Sequence, residues 1–247
     1  MSGRRTLKQL AEYVAARGLV GAARALPAPA AERLGALLGA AAHRLGARRA
    51  VVLRQIAASF PGRDRAWVAR TTAACYRHFG REAVVMARMQ GGDTAGLEAR
   101  VTTDAVTEAW IERMASGEGV IIVTGHLGNW EVGGAYLARR NVPLAAVVKR
   151  QRNARFDAWL SASRRRLGME PVTMQDASRE LPRRVALGET VALVADQDAG
   201  RRGLPVTFLG RPASTFRGPA RLALRTGAPL VFMYGIREGD GYRVLLD

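Results

Sequence analysis

A histidine and a glutamate lie five residues apart in the heptapeptide GHLGNWE (residues 125–131). On one continuous helix, side chains at that spacing point about 140° away from each other, because successive residues turn by about 100°. His126 and Glu131 can therefore meet only if the histidine lies on a turn that precedes a helix. A neutral imidazole accepts a proton from an alcohol near neutral pH, and a neighbouring carboxylate fixes its tautomer and stabilises the imidazolium. The spacing thus predicts a catalytic pair in which His126 is a general base and Glu131 orients it.

The elements around the heptapeptide have to place the histidine on such a turn. The β-branched run at 120–124 is typical of a buried strand, and the glycines of the heptapeptide indicate a tight turn at its carboxyl end. Asn129 is a suitable N-cap for a following helix, and Glu131 then falls in the first helical turn, where the helix dipole favours a negative charge. Open α/β sheets bind ligands at the carboxyl ends of their strands, which supports a functional site at His126.

Three further polar loops follow predicted strands or precede a predicted helix. KRQRN (149–153) ends the next strand, and its cations could hold a phosphate or stabilise an oxyanion. ADQDAG (195–200) also follows an apolar strand and could bind a cation or brace a loop through hydrogen bonds. STFRGP (214–219) reads as the start of a helix, where free backbone N–H groups suit an anion. A solvated loop or a plain helix cap is the alternative for each, and the candidate ligand contacts are Asn129, Lys149, Arg152, Asn153, Asp196, Gln197, Asp198 and Arg217.

Other catalytic and metal-binding patterns are missing from the sequence. It contains no G-x-S-x-G motif for a serine nucleophile and no two histidines flanking a glutamate on one helix, so we expect no metal ion at the site. Cys75 is the only cysteine, which excludes an intramolecular disulfide and a cysteine-based zinc site and agrees with a reducing compartment.

The first 117 residues have a helical pattern. Their Ala-rich segments, separated by prolines and glycines, predict helices at Leu7–Arg17, Ala31–Arg44, Arg49–Ser59, Asp64–Met89 and Asp104–Ala115. Within the fourth of these helices, four residues recur at helical spacing and predict a buried stripe: Trp67, Thr71, Cys75 and Phe79.

Residues 118–247 have a different pattern, in which strands and helices alternate. Strand-like runs occur at 119–124, 143–149, 190–195, 205–209 and 229–235, and helical stretches at 129–139, 154–167, 178–187 and 214–226. This alternation predicts an α/β fold with a mostly parallel sheet and crossover helices. We expect the helical region, residues 1–117, to pack on this core, residues 118–247, within one integrated domain.

Composition and charge limit the possible partners. The chain has 247 residues and a formal net charge of +17, which suits anionic lipid, phosphorylated substrates, acidic proteins or nucleic acid. No zinc-finger spacing, RNA-recognition motif or clear helix-turn-helix occurs, so nucleic-acid binding is the less favoured alternative. No segment reaches the roughly 18 uninterrupted apolar residues of a membrane span, and the amino terminus lacks a secretory signal. We expect a cytoplasmic protein that rests on an anionic membrane surface.

Several motifs occur together and in a fixed order: GHLGNWE, KRQRN leading into FDAWL, ADQDAG and FLGRPASTFRGPARLALRTGAPL. In that order they resemble the bacterial lipid A biosynthesis acyltransferase family, and the similarity extends to RRAVVLRQIAASFPG and CYRHFGREAV, covering most of residues 45–235. The resemblance implies a glycerolphosphate-acyltransferase-like core that moves a fatty acyl chain from an acyl-carrier-protein or coenzyme A thioester to a hydroxyl of a phosphorylated glycolipid. It places the reaction at the cytoplasmic face of the inner membrane, with no cofactor besides the thioester.

The resemblance also assigns roles to individual residues. His126 matches the general base and Glu131 its partner, Lys149 and Asn153 match the cation and the amide of the R/K-P-x-x-N pattern, and two aspartates match the acidic loop: Asp196 and Asp198. Gln151, Arg152 and Ala154 depart from the usual proline-rich version of that pattern.

Two expectations concern the acceptor and the end of the chain. A lipid A precursor is the favoured acceptor, because phosphatidylinositol mannoside acyltransferases, the alternative, tend to carry aspartate where Glu131 stands. The family's carboxyl-terminal Trp/Arg-rich segment is absent, and residues 242–247 read as a strand stopped in mid-course. We therefore expect that a natural carboxyl-terminal piece is missing.

Overall fold

The computed structural model describes the backbone of residues 2–247 and the side chains of residues 6–247. Its α-helices are α1 (Ser2–Ala25), α2 (Ala28–Arg44), α3 (Arg49–Ser59), α4 (Arg65–Gln90), α5 (Ala105–Ala115), α6 (Trp130–Arg139), α7 (Ala154–Arg166), α8 (Ala177–Ala186) and α9 (Gly218–Thr226). Its strands are β1 (Val101–Thr102), β2 (Ile121–Gly128), β3 (Leu144–Val148), β4 (Met169–Thr173), β5 (Thr190–Val194), β6 (Leu204–Phe208), β7 (Arg211–Thr215), β8 (Leu230–Glu238) and β9 (Gly241–Leu246).

Seven of these strands form one sheet in the order β1-β9-β8-β2-β5-β3-β4. Neighbouring strands run parallel, except that β8 and β9 form an antiparallel hairpin. In the middle of the sheet, Thr124 of β2 lies opposite Val194 of β5 on one side and Met233 of β8 on the other. Because β2, β3 and β5 are parallel, the loops that follow them meet at one edge of the sheet. The predicted fold class, an α/β fold with a mostly parallel sheet after a helical region, is confirmed.

Consecutive residues of β2 enter different clusters of the core, because side chains alternate between the two faces of a sheet. Ile122 packs in the cluster that contains Leu137 of α6. Ile121 packs in the cluster that contains Leu181 of α8 and Leu222 of α9. Both faces of β2 are covered, which explains why its sequence is a continuous apolar run and not an alternation of apolar and polar residues.

Helix α4 connects the helical region to the sheet. It packs against α2 so closely that a Cβ atom at Gly39 would lie 2.0 Å from the carbonyl oxygen of Tyr76. Farther along α4, the buried Glu82 forms an ion pair with Arg237 of β8, and Arg237 also lies 3.0 Å from a carboxylate oxygen of Glu32 in α2. This charged cluster joins α2, α4 and β8.

Helix α1 contacts α7 and leaves several apolar side chains exposed, including Leu7, Val14 and Leu19. In the part of the chain that the structure describes, no helix combines the length and the hydropathy that a bilayer-crossing segment requires.

Three strands are absent from the sequence prediction: the two-residue β1, β4 and β7. The prediction missed β4, because the sequence MEPVT contains a glutamate and a proline; β4 lies at the edge of the sheet, where proline is tolerated. Residues 214 and 215 belong to strand β7 and do not begin a helix, so α9 starts at Gly218. Strands β6 and β7 form a separate two-stranded sheet.

The buried stripe predicted for α4 is wrong. Trp67 and Thr71 are only partly buried, whereas Cys75 and Phe79 are exposed. The helix instead turns Gly80 toward α2, where a Cβ atom would lie 2.2 Å from the carbonyl oxygen of Gly35, and this close approach directs the neighbouring Phe79 to solvent. The buried residues of α4 are instead Val68, Thr72, Glu82, Val85, Met89 and Gln90.

Candidate active site

His126 lies on an irregular end of β2, as the turn in its sequence predicts. The pairing of β2 with β8 shifts register between Thr124 and Gly128, and this irregular stretch carries the histidine. Gly128 has a positive φ of 67°, and a Cβ atom there would lie 2.0 Å from the carbonyl oxygen of Gly235, so only glycine fits. Asn129 then caps α6 by accepting a hydrogen bond from the N–H of Val132 at 3.2 Å. The strand end and the helix cap together fix the turn that presents the imidazole.

The carboxylate that orients His126 is Asp196. One of its oxygens lies 2.8 Å from Nδ1 of the ring, and the other accepts a hydrogen bond from the backbone N–H of His126 at 2.7 Å. With Nδ1–H donating to this carboxylate, Nε2 is left as the proton acceptor. Trp130 contacts the imidazole edge to face, with ring centroids 4.5 Å apart. The ring is thereby held in one orientation at the cavity wall, with Nε2 on the side away from Asp196.

Glu131 lies in the first turn of α6, as the sequence predicts, but its hydrogen-bond partner is not His126. Its Oε1 atom accepts two hydrogen bonds from the guanidinium of Arg164, at 3.0 and 2.6 Å. Glu131 lies in the first turn of α6 and faces α7, whereas the imidazole faces the loop after β5, so the hydrogen bonds of the two side chains go to different partners. Its other carboxylate oxygen is buried and has no hydrogen-bond partner among the described residues.

His126, Glu131 and Arg164 all line one cavity of about 1020 Å³. Most of the cavity wall is apolar, with side chains from both faces of the sheet, including Leu137, Leu144, Met169, Leu181 and Leu222. Lys149 and Gln197 are further polar residues in the wall. A large apolar cavity with a few convergent polar groups is typical of a binding site for a small, mostly apolar molecule.

The polar loop after β5 contributes two kinds of residue. Asp196 and Gln197 reach the imidazole, and the amide nitrogen of Gln197 lies 3.5 Å from Nε2 of His126. Asp198 instead accepts a hydrogen bond from the N–H of Gly200 at 2.8 Å and so braces its own loop. Two residues of this loop therefore contact the histidine, whereas the third braces the loop.

Three other predicted contacts make structural hydrogen bonds. Asn153 caps α7 and donates to the carbonyl oxygen of Gln9 in α1 at 2.7 Å, and the carbonyl oxygen of Arg152 accepts a hydrogen bond from Gln9 at 3.2 Å. The guanidinium of Arg217 donates to the carbonyl oxygen of Arg202 at 3.1 and 2.7 Å. Within the described chain, Lys149 is the member of the KRQRN loop that both carries a cation and lines the cavity.

The sequence prediction missed a buried polar group behind the turn. The amide nitrogen of Asn129 donates to Glu82 of α4 at 2.9 Å, and the hydroxyl of Tyr242 in β9 donates to the same carboxylate oxygen at 2.6 Å. Burial raises the pKa of Glu82, but the hydrogen bonds from Tyr242, Arg237 and Asn129 outweigh it and hold the pKa below its usual value. Asn129 is thus a buried structural residue, and no local pattern connects it with Glu82.

The mostly parallel sheet carries a histidine–carboxylate pair at a strand end, in the wall of a large apolar cavity. These are features of an α/β enzyme that acts on an apolar substrate. The chain belongs to the bacterial lipid A biosynthesis acyltransferase family, whose sequence model matches residues 3–246.

Individual relatives are more distant. The chain is 28% identical over 177 residues to a phosphatidylinositol mannoside acyltransferase from Mycolicibacterium smegmatis, which is 70% of this chain and 57% of that protein. It is 31% identical over 133 residues to a phosphatidylinositol mannoside acyltransferase from Mycobacterium tuberculosis strain H37Rv, which is 52% of this chain and 42% of that protein. The chain therefore spans about half the length of the curated relatives that it matches.

Proposed function

We propose that this protein transfers a fatty acyl chain from a thioester, carried by acyl-carrier protein or coenzyme A, to a hydroxyl of a phosphorylated glycolipid at the cytoplasmic face of a membrane. The observation that carries the proposal is the pair formed by His126 and Asp196 at the wall of the apolar cavity. The pair supplies a base for a hydroxyl, and the cavity supplies room for the acyl chain of the donor.

The reaction proceeds by direct attack of the acceptor. Nε2 of His126 takes the proton of the acceptor hydroxyl as its oxygen attacks the thioester carbonyl, and the carbonyl π electrons move onto oxygen. The oxyanion then re-forms the C=O bond and expels the thiolate, which takes the proton from the imidazolium. Asp196 remains ionised and stabilises the imidazolium between these steps.

Lys149 is the cation that we assign to the developing negative charge. It lines the same cavity as His126, and its side chain is exposed at the end of β3. Arg164 is also in the cavity wall, but the carboxylate of Glu131 holds its guanidinium. A preorganised cation near the carbonyl oxygen stabilises the tetrahedral intermediate more than the ground state.

Two acceptors are candidates, and different observations favour them. The names of the relatives favour a phosphatidylinositol mannoside, which we place first. The family description and the glutamate at position 131 favour a lipid A precursor. Both acceptors are phosphorylated glycolipids with free hydroxyls, so the same site chemistry applies to either.

The test is an acyl-transfer assay with the full chain, both thioester donors and both acceptors. We expect His126→Gln to lose activity by about a thousandfold or more, because the general base is removed. His78→Gln, which changes an exposed histidine of α4, is the matched control and should retain wild-type activity. Near-normal turnover by a folded His126→Gln protein would show the mechanism to be wrong.

A further inference from the structure

Strands β6 and β7 form a hairpin with a largely exposed apolar face. All five residues of β6 are exposed. Leu204, Val206 and Phe208 alternate along the strand and so share one face, with exposed fractions of 53%, 42% and 66%. The turn between the strands, Leu209 and Gly210, has two positive φ angles, as tight two-residue hairpins require.

The exposed face is not explained by the stability of the fold. A two-stranded hairpin is marginally stable on its own, and this one is outside the seven-stranded sheet. It is held at its base, where the N–H of Ala199 donates to the carbonyl of Ser214 at 3.0 Å and the hydroxyl of Ser214 donates to the carbonyl of Gly200 at 2.7 Å. The base is therefore fixed, whereas Phe208 at the apolar end remains 66% exposed.

The charge around the hairpin has one sign. Residues 199–229 contain no acidic residue and six arginines: Arg201, Arg202, Arg211, Arg217, Arg221 and Arg225. Within the described chain, none of these six forms an ion pair with a carboxylate. Arg211 lies directly across from Phe208 in the hairpin. The segment that carries the apolar tip is thus cationic, and Arg211 lies at the tip itself.

We propose that the end of this hairpin inserts into the surface of an anionic lipid bilayer. The side chains of Val206, Phe208 and Leu209 would enter the acyl boundary while the arginines contact lipid phosphates, which is how amphipathic elements bind membranes. Pro205 and Pro212 each remove a backbone donor, which disfavours the alternative that another chain adds a strand to the hairpin. A narrow projecting tip also gives a second protein little area to bury.

The hairpin is continuous with the active site at both of its ends. Asp196 and Gln197 precede it, and it leads into α9, whose residues Pro219, Leu222 and Leu224 line the cavity. Insertion would therefore bring the cavity close to the lipid surface. This consequence rests on the proposed function, because it assumes a lipid acceptor, but the binding of the hairpin to a membrane does not.

Vesicle binding of the full chain tests the apolar part of the proposal. The probes are vesicles of phosphatidylcholine alone and with about 30 mol % phosphatidylglycerol. Val206→Thr/Phe208→Thr keeps strand-forming residues and should weaken binding by about tenfold or more. The matched control is Leu187→Thr. Leu187 is 79% exposed but lies between α8 and β5, before the amino end of β5, whereas the hairpin follows the carboxyl end of β5. Equal binding by the double variant and this control would overturn the proposal.

The arginines are tested separately. Arg202→Gln/Arg211→Gln should weaken binding to the anionic vesicles by about fivefold per arginine and leave binding to neutral vesicles nearly unchanged. An equal loss on both kinds of vesicle, or no loss on either, would contradict the assigned role of the charge.

A reporter on the tip distinguishes lipid from protein partners. An environment-sensitive dye attached through Phe208→Cys, in a Cys75→Ser background, should become fluorescent only when anionic vesicles are added, whereas the same dye at Leu187→Cys should not respond. A tip dye that is already shielded without vesicles, or a change of oligomeric state in the hairpin variant, would show that protein covers the face and would overturn the proposal.

One more variant separates this proposal from the proposed function. His126→Gln should bind vesicles like the wild type while it loses acyl transfer. If the wild type binds vesicles through the hairpin but transfers no acyl chain, only the proposed function is refuted. If it transfers acyl chains to lipid acceptors but the hairpin substitutions leave vesicle binding unchanged, only the membrane-binding role of the hairpin is refuted.

Discussion

Asp196 uses both of its carboxylate oxygens on His126, one on the ring and one on the backbone N–H, and this fixes the imidazole at the cavity wall. The sequence singled out His126 as the candidate base, because a buried strand followed by a glycine-containing turn was visible in the heptapeptide. It assigned the wrong orienting carboxylate, since Glu131 is close in sequence and Asp196 is 70 residues away. The missing information was that β2 and β5 are neighbours, which brings the two strand ends together.

Glu131→Gln should destabilise the protein, because Glu131 and Arg164 form a mostly buried ion pair with side chains 4% and 19% exposed. Leaving the guanidinium without its carboxylate should cost about 2 kcal/mol or more of the free energy of unfolding. Urea denaturation measures this change. The control is Glu170→Gln, which breaks the exposed pair with Arg165 and should cost less than about 0.5 kcal/mol. Equal losses in the two variants would contradict the structural role of Glu131.

At the level of elements, the unit that matters most is the end of β2, the turn and the start of α6. Its order was predictable, because the strand, the glycines and the cap are each visible in sequence. Strand β6 was expected at 205–209, but its partner β7 and the edge strand β4 were not, since short strands that contain proline and charge have no clear alternation. Their pairing depends on residues that are distant in the chain.

Asn129→Ala should reduce both stability and turnover. It removes the cap of α6 and leaves Glu82 without one hydrogen-bond donor, at a cost of about 2 kcal/mol in the free energy of unfolding. Because the same cap fixes the turn that carries His126, kcat should fall more than KM rises. Asn153→Ala removes the cap of α7 instead, and should destabilise the protein while leaving kcat nearly unchanged. Urea denaturation measures the free energy of unfolding, and steady-state kinetics measure kcat and KM. A normal kcat for Asn129→Ala would refute the role of Asn129 in positioning His126.

At the scale of the whole molecule, a cluster of buried charged and polar side chains connects distant parts of the chain. Glu32, Glu82, Arg237 and Tyr242 join two amino-terminal helices to the last two strands, behind the active-site turn. Burial and the neighbouring Glu82 raise the pKa of Tyr242, so its hydroxyl remains a donor. Each of these residues reads as an ordinary surface charge or strand residue, and their association follows only from the packing of α4 on the sheet.

This cluster predicts how stability depends on pH. The pKa of Glu82 in the folded protein lies below its usual value near 4.5, so its contribution to stability is present above that pH and is lost as the pH falls through the lower, folded value. Glu82→Gln should therefore be less stable than the wild type at pH 7, and the difference should shrink in acid. Urea midpoints across this range test it, with Glu112→Gln on the exposed face of α5 as the control. A difference that is constant with pH would contradict the assignment.

The most direct test of the catalytic pair is the single-turnover rate of acyl transfer by Asp196→Asn. The amide can still accept a hydrogen bond from the backbone N–H of His126, so the fold should be retained, but it cannot stabilise the imidazolium. We predict a rate at least about a hundredfold below the wild type, with Asp198→Asn close to the wild type because Asp198 only braces its loop. A folded Asp196→Asn protein with a wild-type rate would contradict the assignment of Asp196 as the partner of His126.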